Sequence, residues 1–122
     1  IGVMAYSPLA VGLLSGIYSP DDAPPEGSLW ATKRESEFGS SLEGSRGEVL
    51  GSVREIARDH GSTPAQVALA WVLSHDEITI AITGGDTIEH LNDNIGGAEL
   101  VLDDSEITLL NKVSASLADV LD

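Results

Sequence analysis

The segment richest in chemical possibility is Tyr6-Ser7-Pro8-Leu9, with Gly12 and Gly16 close behind it. It closes a short apolar run, and in parallel α/β folds ligands gather at the C-terminal ends of strands. A tyrosine there presents a flat face for stacking, Ser7 presents a hydroxyl, and the glycines let backbone approach a phosphate. The same residues also read as a core aromatic beside a Ser-Pro strand stop, and the segment alone favours that second reading. A second candidate is the turn Gly84-Gly85-Asp86-Thr87. A strand, a glycine turn and a helix start together make an anion site. Asp86, however, brings a negative charge to that helix start, and a self-capped helix without a ligand accounts for the pattern equally. His60, His75 and His90 stand apart and form no metal-ligand spacing. His60 falls in the last turn of a predicted helix, where a partial positive charge suits the macrodipole. No Ser-His-Asp order and no working pair of carboxylates emerges.

These groups need elements to hold them. Ile1 to Tyr6 is a near-continuous apolar run, predicting a strand buried on both faces and stopped at Pro8. The stretch from Tyr18 to Gly47 is polar and rich in Pro, Gly and Ser, which predicts a long loop. A surface insertion or a functional lid would both look like this. Val49, Leu50, Val53, Ile56 and Ala57 share a stripe that predicts a helix over roughly 48–60, stopped by Gly61. Thr63-Pro64-Ala65-Gln66 has the spacing of a capping box with proline in the first turn. The helix it opens, to about Ser74, is apolar on most sides and should be buried. Ile78 to Ile82 predicts a second strand. Asp86 and Glu89 are spaced as a capping box for a short helix to about Ile95. Asp103 and Glu106 repeat that spacing before a last helix with Ile107, Leu110, Val113 and Leu117 on its stripe. Two parallel strands joined through helices make a βαβ unit in an α/β fold. Two strands make a poor sheet, and Ile1 lies within an apolar run rather than following an initiating Met. Both features predict a piece of a longer protein.

Composition bounds the function. The 122 residues allow one domain, and 42% hydrophobic content suffices for a core built mostly from aliphatic side chains. No cysteine is present, which rules out disulfides and thiolate metal sites and fits a reducing, cytoplasmic setting. No apolar run reaches the roughly 20 residues of a membrane span. A net charge of −14 repels nucleic acid and anionic membranes. With only two lysines, Lys33 and Lys112, it also raises the hypothesis of adaptation to high salt.

Taken together the segments match a known pattern. Ala5-Tyr6-Ser7-Pro8-Leu9-Ala10-Val11-Gly12-Leu13-Leu14-Ser15-Gly16 resembles the late-barrel cofactor loop of aldo-keto reductases. Thr63-Pro64-Ala65-Gln66-Val67-Ala68-Leu69-Ala70-Trp71-Val72-Leu73 resembles that family's seventh-helix signature. Ile82 to Asp86 and His90 to Asn94 are similar to its last strand and phosphate-side helix, and Leu102-Asp103-Asp104 also fits. The resemblance runs over almost the whole chain, in order. It implies the C-terminal part of a (β/α)8 TIM barrel: the last two strands with their helices, plus a C-terminal helix, spanning 1–122. It implies a cofactor, NADP or NAD, used to reduce aldehydes and ketones, with a small carbonyl substrate as partner. By that resemblance Tyr6 stacks on the nicotinamide, while Ser7, Pro8, Leu9, Ala10 and Gly12 line the pyrophosphate. Gly84, Asp86, His90, Asp93 and Asn94 occupy positions of the adenosine end, and 18–47 is the loop covering the cofactor. The family's catalytic Asp, Tyr, Lys and His belong to the first half of the barrel. Neither Tyr6 nor Tyr18 matches that tyrosine's motif, so the chain by itself is expected to be inactive. A non-catalytic nicotinamide-binding or partner-binding subunit on the same fold is the alternative.

Three departures bear on the cofactor. Ile17 stands where similar members often carry lysine, Leu29 follows Gly27-Ser28 where arginine is common, and Asp86 follows the glycine pair where Ser or Arg is usual. Like-charge juxtaposition against a 2′-phosphate costs on the order of several kcal/mol, and apolar groups give it no positive partner. The expectation is a preference for NADH, or weak binding of either nicotinamide cofactor.

Overall fold

The computed structural model describes residues 1–19, 22–32 and 42–118. Strand β1 (Val3–Tyr6) leads through a 3-10 turn (Leu13–Ser15) and a second such turn (Leu29–Thr32) to helix α1 (Gly44–His60). Helix α2 (Pro64–Leu73), strand β2 (Ile78–Ile82), helix α3 (Ile88–Glu99) and helix α4 (Asp104–Ala118) follow.

The strands are parallel, with Val3 opposite Ile78, Met4 opposite Ile80 and Tyr6 opposite Ile82. The expected βαβ unit is therefore present, and the predicted bounds of β2 hold. The expectation that β1 is buried on both faces does not. Met4 is 63% and Tyr6 85% exposed. Among the described residues each strand has one neighbour in a two-stranded sheet, so an apolar run alone could not report how much of it is covered. Helix α2 packs on β2, on α1 and most extensively on α3, while α4 lies on α1.

The helix stripes fall where the spacing puts them. Val49, Leu50, Val53, Ile56 and Ala57 of α1 are all buried. Val67 and Ala70 of α2, Leu102 and Leu110 join Val49, Val53, Ile56 and Ala57 in one core, and Ile107, Val113 and Leu117 pack against it. A second cluster holds Leu13, Tyr18, Leu42 and Leu50, with Trp30 against it. Gly61 ends α1 at φ 60°, its N–H donating to the carbonyls of Ala57 and Arg58. The Thr63–Gln66 capping box closes in both directions. So does the Asp103–Glu106 box: Glu106 N–H donates to Asp103 Oδ1 and Asp103 N–H to Glu106 Oε2, each at 2.9 Å.

Three boundaries move. Helix α1 starts at Gly44, so the last residues of the predicted 18–47 loop are helical; 20–21 and 33–41 lie outside the described residues. Helix α3 is capped by Thr87, whose Oγ1 accepts from His90 N–H at 3.1 Å; Asp86 is not the cap. The Asp-x-x-Glu spacing pointed one residue too early, because Thr87 was an equally good cap. Helix α3 also runs past the expected end near Ile95 to Glu99, through Gly96-Gly97. Two glycines mid-helix cost about 1 kcal/mol each in intrinsic propensity. Packing overrides that: a Cβ on Gly97 would stand 2.8 Å from Leu69 Cβ, and one on Gly96 would overlap the Gln66 amide. The glycines let α3 lie close against α2.

Candidate functional site

The register that pairs Tyr6 with Ile82 ends both strands at the same level. The loop from Ser7 to Gly16 and the turn from Thr83 to Asp86 therefore leave the sheet side by side.

On the first wall, Tyr6 is 85% exposed among the described residues. Its backbone is held in β1, opposite Ile82. The loop that follows is strained. Ser7 (φ 53°), Ala10 (φ 49°) and Val11 (φ 58°) are left-handed without being glycine, and Gly12 (φ 88°) continues the run. For a β-branched residue such as Val11 this conformation is an outlier, and outliers of this kind cluster at ligand clamps. The strain is held by turn hydrogen bonds: Ala10 N–H to Ser7 O at 3.0 Å, Gly12 N–H to Leu9 O at 2.9 Å and Leu14 N–H to Leu9 O at 3.1 Å. Ser7, Pro8 and Leu9 are half-buried, Ala10 is exposed and Gly12 is half-buried. Trp30 Nε1 donates to Val11 O at 3.0 Å across 19 positions, tying the long segment to this loop. Arg54 donates to the carbonyl of Tyr18 from α1. A Cβ on Gly16 would stand 2.6 Å from Pro64 Cγ, so this glycine serves close packing on α2.

On the second wall, Gly84 and Asp86 are exposed and Asn94 reaches back to them from α3. Its amide donates to Gly84 O at 3.0 Å and to Thr83 Oγ1 at 3.3 Å. His90 is exposed in the first turn of α3. Asp93 turns the other way. Thr63 Oγ1 donates to its carboxylate, 2.9 and 2.8 Å from the two oxygens, and Gln66 Nε2 donates to its carbonyl at 3.1 Å. The register thus starts the Ser7–Gly16 loop at the same sheet edge as the turn that Asn94 braces, and Asp93 is engaged with α2. Thr63 read from sequence as a cap alone, and no local signal paired it with a residue 30 positions on. Nor did any announce the Trp30–Val11 bond.

Of the three departures from the family pattern, Ile17 is 63% and Leu29 54% exposed, and Asp86 is exposed in the turn after β2. An open apolar hollow lined by Trp71, His75 and Ile78 sits at the other end of β2. It is distant from these groups along the strand direction. Among the described residues no cluster of three potential metal ligands occurs, and no helix is long and apolar enough to cross a membrane.

Parallel strands joined through helices are the repeating unit of the class of βα barrels and wound sheets. Within that class the chain belongs to the aldo/keto reductase family, whose model matches residues 1–115. Its family fold is a (β/α)8 barrel, and the two strands and four helices described are consistent with part of one. It is 34% identical over 117 residues to an aldo-keto reductase of Strobilurus tenacellus, covering 93% of this chain and 33% of that protein. An uncharacterized oxidoreductase of Mycobacterium tuberculosis is 39% identical over 100 residues, covering 82% of this chain and 29% of the relative. A Schizosaccharomyces pombe aldo-keto reductase named for NADP(+) is 30% identical over 110 residues, 88% of this chain and 31% of its own length. The chain spans about a third of the length of these relatives.

Proposed function

We propose that the chain is the cofactor-holding, C-terminal portion of an aldo/keto reductase barrel, in an oxidoreductase that reduces aldehydes or ketones with a nicotinamide cofactor. One observation carries this reading: the Tyr6–Ile82 register, which sets an exposed aromatic and a strained loop beside the glycine turn that Asn94 braces. Such an edge suits an elongated ligand with a flat ring at one end. Tyr6 offers its face to the nicotinamide, the Ser7–Gly12 loop lies along the pyrophosphate, and Gly84, Asp86, His90 and Asn94 meet the adenosine. Asp93 supports this end from behind. The bound cofactor would supply hydride. The acid–base groups would come from elsewhere in the protein, and residues 1–122 by themselves would turn over no substrate.

The 2′-phosphate fits this edge poorly. Asp86 is acidic, and Ile17 and Leu29 are exposed apolar groups, so nothing at these three positions offsets two negative charges. Equilibrium titration of the protein with NADH and NADPH, followed by cofactor fluorescence, tests the reading. The expected result is NADH binding at least as tightly as NADPH. Tighter NADPH would overturn the preference, and failure to bind either would overturn the function.

A further inference from the structure

The two walls share an anchor that neither motif announces. The first wall ends at Gly16, which lies against the ring of Pro64, the first residue of α2. The second wall is braced by Asn94, and the residue before it, Asp93, is tied to Thr63, the cap of the same helix. Gln66 completes the braid. Its side-chain oxygen accepts from Thr63 N–H at 3.2 Å, while its amide donates to Asp93 O at 3.1 Å. We infer that the first turn of α2 sets the spacing between the two walls, and that Thr63 is the positioning residue for the adenosine-side wall. This rests on the function proposed above.

The Thr63 hydroxyl has a single proton, spent on the Asp93 carboxylate, and its oxygen accepts from Gln66 N–H at 3.2 Å. Valine has the same shape and can do neither. It would leave a half-buried carboxylate without its donor on the helix that carries His90 and Asn94, whereas Gly16 and Pro64 would keep their contact. Loss of a hydrogen bond to a charged group is large enough to let that wall shift. The consequence is asymmetric: the adenosine half of a dinucleotide should suffer and the nicotinamide half should not.

The test uses the full-length protein with ADP-ribose and reduced nicotinamide mononucleotide as separate probes, alongside NADH and thermal melting. Thr63→Val should weaken ADP-ribose by about tenfold and leave the mononucleotide within about twofold. Thr63→Ser, which restores the hydroxyl, should return ADP-ribose binding to the parental value. If Thr63→Val does not fold, Gln66→Met reads the same split, because it removes the amide's two bonds and keeps its volume. Equal weakening of both probes, or no weakening of either, would overturn the inference while leaving the cofactor reading intact. Absence of binding by the parent protein would overturn that reading, and the inference with it.

Discussion

Tyr6 and Asp103 show how differently two exposed residues can matter. Tyr6 makes little use of its ring within the fold, being 85% exposed. Tyr6→Ala should therefore leave the melting temperature nearly unchanged and weaken NADH by about tenfold, in line with the ~1–3 kcal/mol of base–aromatic stacking. Tyr6→Phe should bind like the parent in the same fluorescence titration. An equal loss with phenylalanine would mean that the hydroxyl, not the face, is used. Asp103 works for the fold instead. Its carboxylate is held below the usual value of 3.8, first by the Ser105 hydroxyl and then by Glu106 N–H, with His60 adding a smaller attraction. A lowered folded pKa favours the native state once the pH is above the unfolded value. That contribution is lost as pH falls through the folded pKa. Stability should accordingly drop at the acid limb below about pH 4. Asp103→Asn should flatten that limb in urea unfolding measured from pH 2 to pH 6, and an unchanged limb would remove Asp103 from the account.

Helix α3 is the element on which local propensity and tertiary packing disagree most. By propensity alone, Gly97→Ala should stabilise the helix by about 1 kcal/mol. Against α2, the added methyl meets Leu69 Cβ at 2.8 Å, and overpacking of this kind costs about 1–3 kcal/mol. The expected outcome of urea unfolding is net destabilisation; a more stable variant would show that α2 and α3 separate easily. The same packing explains what could be read in advance. The stripes of α1 and α4 and the capping boxes at Thr63 and Asp103 follow from spacing within one helix, and they stand where the sequence puts them. The end of α3 does not follow from spacing, because its glycines answer to residues about 30 positions earlier. The exposure of β1 was hidden for a related reason, since an apolar run says what a strand could bury and not what lies beside it.

At the scale of the whole molecule the dominant fact is a net charge of −14 on 122 residues. Self-repulsion of that size opposes the compact state, and salt relieves it, because the screening length falls from about 10 Å at 0.1 M to about 3 Å at 1 M. The urea midpoint of the protein should rise between 0.1 M and molar salt. A flat or falling midpoint would sink the idea of adaptation to salt. The same charge works against polyanions in general and, at the cofactor edge proposed above, through Asp86 against a 2′-phosphate. Overall repulsion and local preference thus point the same way at different ranges.

Sequence by itself determined the βαβ order, the helix stripes, two capping boxes, the acidic surface and the motif resemblance that the family match supports. All of these depend on residues within a turn or two of each other, or on sums over the chain. The tertiary structure alone decided that Tyr6 faces outward, that Tyr6 and Ile82 end level, and that Thr87 rather than Asp86 caps α3. It also decided that Asp93 turns to Thr63 while Asn94 turns to Gly84. Neighbouring residues on a helix point about 100° apart, so which one meets the site and which one meets the scaffold depends on how the helix is docked. That docking is set by partners far away in the chain.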